Sequence, residues 1–168
     1  MTEVFRDSGA IVELGADWLV RLKDAAMRSP LGRSRVCVHA DDAAQVQEMI
    51  IALRDDVLFR PHRHLGKTES FHMIEGAIDI VIFDEAGAPV RTVALSEPGC
   101  GGWFYYRLNE PMYHTVVPRT PMVVFHETTS GPFVRADADY APWAPEEPEP
   151  LRAFVEGARA AMGAAERA

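Results

Sequence analysis

The chain has 168 residues, 48% of them apolar and 25% charged, which suits one domain with a sizeable core and excludes wholesale disorder. Its formal net charge of −8 is spread along the chain without a basic stripe. Such a surface repels phosphate backbones and argues against a nucleic-acid partner, while leaving room for a local basic pocket that takes a small anion.

Cys37 and Cys100 stand far apart, outside any C-x-x-C pair, so a disulfide scaffold is not expected and a reducing cytoplasm is. No stretch approaches the roughly 18 consecutive apolar residues of a membrane span. The opening "MTEVFRDSGAIVELGADWLVRL" carries early acids and no long apolar core, unlike a signal peptide. The expectation is a soluble cytoplasmic protein with no membrane partner.

In chain order, "ADWLVRLKDAAMRSP" places Trp18, Leu19, Leu22, Ala25 and Ala26 at helical spacing, with Asp17 as N-cap and Pro30 closing the segment. "RSRVCVHA" reads as a short strand with Arg33, Arg35, Cys37 and His39 on one face. "DDAAQVQEMIIALRDD" sets Val46, Met49, Ile50 and Leu53 at helical spacing behind an Asp cap, and predicts a helix, although "EMIIAL" also fits a strand.

From Val57 the texture changes to short β segments separated by turns: "VLFRPHRH", "ESFHMI", "AIDIVIFD", "APVRTVAL", "WFYYRL", "YHTVV" and "MVVFHET". "DEAG" joins the third and fourth as a hairpin. Strands at this spacing predict an all-β sandwich or barrel. The prolines of "DYAPWAPEEPEP" deny it a regular helix or central strand, so it should run extended over the barrel with Trp143 as anchor. "LRAFVEGARAAMG" then places Leu151, Phe154, Val155, Ala158 and Met162 along one stripe of a terminal packing helix. The chain thus divides into an N-terminal segment (1–56) packing on a barrel (57–135), followed by an extension and C-terminal helix (136–168), all one structural domain.

His62 and His64 are two apart, so on extended chain both imidazoles point to the same face; on a helix they would diverge by about 200°. Pro61 argues against mid-helix, and Gly66 in "LGKT" allows a turn that returns the Glu69 carboxylate to the same space. His114, at the start of "YHTVV", can close the set from a strand across the barrel. Three imidazoles and one carboxylate suit Fe(II), Mn(II), Ni(II) or Zn(II) better than Mg(II) or Ca(II). Without a cysteine shell, a purely structural zinc site is less natural.

"HRHLGKTESFHMIEG" resembles the core of the first cupin motif, H-x-H-x(3,4)-E-x(6)-G, and "PMYH" places His114 where the second motif supplies its histidine. Asp56 replaces the glycine expected before the first histidine, and Pro118 stands where the second motif has asparagine. "SPLGRSRVCVH", "PHRHLGKTESF", "IVIFDEAG", "HETTSGPF" and "YAPWAP" together are similar to the WbuC family of cupin-fold metalloproteins, over roughly residues 28–146. The resemblance implies a mainly β fold, a single cupin (double-stranded β-helix, jelly-roll) barrel with N-terminal helices and a C-terminal helix. It also implies one divalent transition-metal ion on His62, His64, Glu69 and His114, a homodimer, and an association with surface-polysaccharide biosynthesis.

Other residues have two readings each. Arg60 shares the parity of His62 and can clamp an anion or pair with a surface acid. Arg33, Arg35 and His39 match the family's R-x-R and terminal histidine, and either contact an anionic substrate or bond the N-terminal segment to the barrel. Of Tyr105 and Tyr106, one can point inward as a proton donor; Tyr105 is the candidate, against aromatic packing. Glu127 maps onto the family's acid before "GPF" and is the candidate for second support of the ligands or general base. His72, Glu75 and His126 fall outside the site by parity, Lys67 is expected in solvent, and Cys100 has no histidine neighbour to make it a nucleophile.

An ion with four protein ligands keeps positions for water or substrate, and can polarise a carbonyl or hydroxyl. The first functional expectation is an isomerase, epimerase or lyase acting on a saccharide or sugar nucleotide through an enediolate. The second is an Fe(II) dioxygenase. The third is a binding protein whose ion merely holds a polar ligand.

Overall fold

The computed structural model describes residues 3–165; the outermost residues of the first and last segments, 1–2 and 166–168, lie outside it. In chain order the elements are β1 (Glu3–Arg6), α1 (Ala16–Arg28), β2 (Arg33–Cys37), β3 (Val46–Arg54), β4 (His62–His64), β5 (Glu69–Glu75), β6 (Ala77–Phe83), β7 (Pro89–Ser96), β8 (Tyr105–Leu108), β9 (Tyr113–Pro118), β10 (Met122–Ser130), β11 (Ala138–Tyr140) and α2 (Pro148–Ala165). A short 3₁₀ turn at Arg135–Asp137 precedes β11.

One sheet runs β1-β2-β3-β10-β5-β8 and the other β11-β4-β9-β6-β7. Without the outer β1, β2 and β11, these are the two four-stranded sheets of an eight-stranded jelly roll, the cupin-type barrel. Leu53, Phe71, Met73, Ile78, Ile80, Leu95, Val116, Val123 and Phe125 fill the space between the sheets, each at the inward parity of its strand.

Residues 46–54 are a strand and not the helix their spacing predicts. β3 is covered on both sides: Leu53 joins the barrel core, while Ala52 and Ile50 lie under α1 with Leu22, Ala26, Val36 and Val124. A strand buried on both faces is apolar throughout, and a continuous apolar run mimics helical spacing. The barrel therefore takes in this strand, ahead of the change of texture at Val57.

Helix α1 starts after Gly15, which is its N-cap, so Asp17 does not cap it. Asp17 sits instead in the first turn, where its charge favours the helix dipole. Ser34 on β2 donates its hydroxyl to the Leu22 carbonyl (2.7 Å), fastening the helix to the sheet.

The second sheet is covered by the proline-rich segment and α2, with Phe83, Tyr113, Ala141, Trp143, Phe154 and Ala158 between them. Asp79, buried on β6, receives Arg159 of α2 (2.8 and 2.7 Å) and Arg119 (3.4 Å). Trp143 is the anchor its position suggests: its indole donates to the Glu85 carbonyl (3.1 Å) and packs on Phe83 and Tyr113. It also lies flat on the β6–β7 turn. Gly87 there has φ +90°, and a Cβ on it would stand 2.8 Å from the indole. Gly87→Ala is expected to destabilise the protein by ~2 kcal/mol, from left-handed strain and displacement of Trp143, measurable by urea titration.

Gly76, the glycine of the first cupin motif, turns the chain from β5 into β6 at φ +77°. Its Cα faces Thr120 and the Met122 carbonyl so closely that a side chain has no room. The motif residue thus serves the fold. Among the described residues no helix is long and apolar enough to cross a membrane.

Candidate metal centre

His62 and His64 occupy both ends of the short β4, at the same parity, and His62 is the register partner of His114 on β9. One ring nitrogen from each of the three lies within 4.8 Å of the other two. Ring centroids are 5.0 Å apart for His62–His64 and His62–His114, and 6.0 Å for His64–His114. Glu69, at the start of β5 on the facing sheet, sends Oε1 to 3.3 Å from His64 Nε2 and Oε2 to 3.0 Å from His114 Nε2.

In two of the three, the second nitrogen is committed elsewhere. His62 Nδ1 donates to the Arg60 carbonyl (3.0 Å) and His114 Nδ1 to the Met112 carbonyl (3.0 Å). A carbonyl only accepts, so each bond fixes the tautomer that turns an Nε2 lone pair toward the shared space. Ligating histidines are commonly held in this way.

Charge is tuned by burial and by Glu69. Burial and the nearby His114 lower His62 to about 4, keeping it neutral. Burial opposes charge on His114, but its contacts with Glu69 outweigh that and raise it. Burial likewise opposes charge on Glu69, yet His114 and His64 hold its carboxyl well below the usual range. Glu69 Oε2 is nonetheless a buried acceptor with no properly aligned hydrogen bond. Three imidazole nitrogens and a carboxylate oxygen aimed at one space, poorly aligned with each other, are a donor set that fits a divalent transition metal.

Glu127 on β10 shares the inward parity of Phe125, and its register partners are Met49 and Phe71. Burial and the charge of Glu69 push its carboxyl up to about 8, against the pull of Arg35. Arg35 and Arg33 share the inner face of β2, opposite Ile51 and Leu53. Burial and Arg35 together lower Arg33, whose guanidinium lies 5.6 Å from the Phe59 ring. Arg35 Nε is buried with no hydrogen-bond partner.

Three expectations are corrected. The inward tyrosine is Tyr106, in the core and 7% exposed, whereas Tyr105 is 49% exposed, because alternation on β8 allows only one of them in. Arg60 follows its other reading: it pairs with Glu146 (2.7 Å) and the Ala141 carbonyl (2.9 Å), tying down the proline-rich segment. His39 is buried with Nδ1 2.9 Å from both the carbonyl and amide nitrogen of Glu48, so it closes β2 on β3.

Elsewhere, Lys67 is also held rather than solvated, by Asp137 (3.0 Å) and the Pro132 carbonyl (2.6 Å). His72 is exposed beside Phe104, Glu75 pairs with Lys23 (2.6 Å), and His126 lies 3.5 Å from Glu48, all on the outer face of the first sheet. Cys100 is exposed, and its bond to Glu97 raises the thiol, which disfavours a nucleophile.

Residues 14–95 match a family model described as a domain of unknown function, DUF6016. No curated protein sequence matches the chain. Among solved structures, protein SO0799 from Shewanella oneidensis is similar at 13% identity and TM-score 0.56, over 76% of this chain and 85% of that one. TT1209 from Thermus thermophilus is 16% identical over 67% of this chain and 92% of that one, at TM-score 0.49. A mutant of Bacillus subtilis oxalate decarboxylase is 16% identical over 57% of this chain but only 24% of its own length, at TM-score 0.46. At 13% identity the likeness to SO0799 is one of fold alone, and within its two-sheet jelly roll this chain brings three histidines close enough to hold one metal ion.

Proposed function

We propose that the protein is a metal-dependent enzyme of the isomerase, epimerase or lyase type, acting on a small polar or anionic substrate such as a saccharide or sugar nucleotide. His62, His64, Glu69 and His114 hold one Fe, Mn, Ni or Zn ion, which when bound supplies Lewis-acid polarisation of a substrate oxygen. The observation carrying this reading is the convergence of three imidazoles on one space, with the Glu69 carboxylate against two of them, His64 and His114.

The chain's own residues add a proton carrier and cations. Glu127, inward-facing and pushed up to about 8 in the metal-free chain by burial and the charge of Glu69, is the carboxyl placed to act as general acid–base group. Arg33 and Arg35, on the inner face of β2, set two positive charges against an anionic substrate group. A role in surface-polysaccharide biosynthesis and a homodimeric state belong to the same proposal through the WbuC resemblance.

Metal-loaded protein incubated in deuterated solvent with a panel of sugars and sugar nucleotides should exchange a carbon-bound proton of at least one of them. Glu127→Gln should slow that exchange by about 10²–10⁴-fold, as loss of a general acid–base group does. If no panel member exchanges, and iron-loaded protein consumes oxygen instead, the dioxygenase reading replaces this one.

A further inference from the structure

β7 and β8 are edge strands that do not pair in a ladder, although a bridge between Leu95 and Trp103 joins β7 to the segment ahead of β8. Between these edges lies a cavity of about 570 Å³ that the proposed reaction leaves unused. Its walls are largely apolar and include Val90, Val93, Met112 and Trp103, with Trp103 66% and Val90 48% exposed. Arg91 and Arg107 also line it, and no acidic side chain does among the described residues. Arg107 turns to neutral partners, Asn109 (2.7 Å) and Thr68 (3.1 Å). On a chain of net charge −8, two cations beside an apolar wall and no carboxylate are a local reversal of sign.

One wall is formed by Tyr106, only 7% exposed, whose hydroxyl is buried with no hydrogen-bond partner. Burial raises that hydroxyl, the charge of Glu69 adds to the rise and Arg91 opposes it, so both charged groups lie near the ring. The register agrees: Ile82 and Leu108, which line the cavity, are the partners of His114 and Glu69. Buried hydroxyls are normally partnered, so this one is available to donate to a polar group brought up to the wall.

We propose that this groove binds a small organic anion with an apolar body, an aromatic or branched carboxylate. Its carboxylate pairs with Arg91, its body lies on Val90, Trp103 and Met112, and Tyr106 supplies the hydrogen-bond donor at the inner wall. Recognition by a cation, an apolar wall and one placed hydroxyl is how small-molecule sites combine affinity with orientation. Binding here needs no metal, so it stands independently of the reaction proposed above.

The test is a titration of the full-length protein, metal-free and metal-loaded, with phenylacetate and isovalerate as probes, followed by calorimetry and tryptophan fluorescence. Benzyl alcohol and acetate serve as controls lacking the charge or the body. At least one probe should bind saturably, about tenfold or more tighter than either control, and Arg91→Ala should weaken it about tenfold while Arg91→Lys retains most of it. Trp103→Phe should remove the fluorescence change, and His114→Ala should leave binding intact, which separates the groove from the metal site. Absence of saturable binding by both probes overturns the proposal, as does an unchanged affinity in Arg91→Ala. Sedimentation showing a dimer that Trp103→Ser dissociates overturns it too, because a second copy would then cover the groove.

Discussion

A divalent transition metal supplied at about a hundred times its dissociation constant is expected to raise the Tm of metal-free protein by roughly 5–11 °C. The figure follows from linkage: saturation at that level stabilises by ~2.7 kcal/mol, and a domain of this size shifts by about 2–4 °C per kcal/mol. The histidine cluster should be the source of the effect, since each ring is already turned with Nε2 toward the shared space by a backbone carbonyl or by Glu69. His114→Ala should abolish the shift, because it removes a nearly fully buried ligand and leaves Glu69 without its closest partner. Cooperative unfolding of the variant, at lower Tm and unresponsive to metal, is the expected scan. Ca(II) and Mg(II) should give little shift with either protein, since a site of three imidazoles suits neither.

The second large effect is a pH dependence carried by Glu127. A carboxyl ordinarily near 4.5 and held near 8 in the folded chain keeps its proton over a range where the unfolded chain has lost it. The folded state then binds more protons than the unfolded state, so stability falls as pH rises from about 4.5 through about 8. A tenfold change in proton affinity is worth about 1.4 kcal/mol, but Glu127 keeps partial contact with solvent, so the loss should be on the order of 2–4 kcal/mol. Other groups titrate in the same window, and the Glu127→Gln variant removes this one contribution. In metal-free protein the variant should match the wild type below about pH 4, where Glu127 is neutral in both states, and become increasingly the more stable up to about pH 9. Metal loading should shrink the difference, because a cation beside Glu69 offsets the negative charge that helps to raise Glu127. Paired urea titrations at several pH values measure the quantity directly, and a difference independent of pH would contradict it.

Of the metal-site candidates, His62 and His64 were legible from parity alone, whereas Glu69 was reached through the turn at Gly66 and His114 through the motif resemblance. His62-x-His64 on extended chain needs no tertiary information, and alternation sends His72 and His126 outward, whereas Glu75 has the parity of Glu69 and turns outward at the bulge where β5 shifts register on β10. An all-β sandwich or barrel was legible from short strands at regular spacing and from the Glu75-Gly76 and Asp84–Gly87 turns, and the jelly roll from the motif resemblance. Local pattern failed where burial on a second face, or a partner distant in sequence, decides the outcome. β3 reads as a helix until α1 is seen to cover its outer face. Arg60 has the right parity for the cavity, but Glu146 and the Ala141 carbonyl, more than eighty residues on, take its guanidinium. Tyr105 and Tyr106 cannot be told apart without the register that pairs Tyr106 with the core residue Phe71. The groove at Arg91 and Trp103 had no signal at all, since it exists only where two sheet edges do not pair in a ladder.

Metal stoichiometry tests the central claim most directly. Metal-free protein dialysed to equilibrium against Mn(II), Fe(II), Ni(II) and Zn(II) in turn, then analysed by plasma mass spectrometry, should retain one ion per chain with at least one of these metals. His62→Ala and Glu69→Gln, each with the circular dichroism spectrum of the wild type, should retain almost none. Wild-type protein that retains no ion, or folded variants that retain as much as the wild type, would contradict the account.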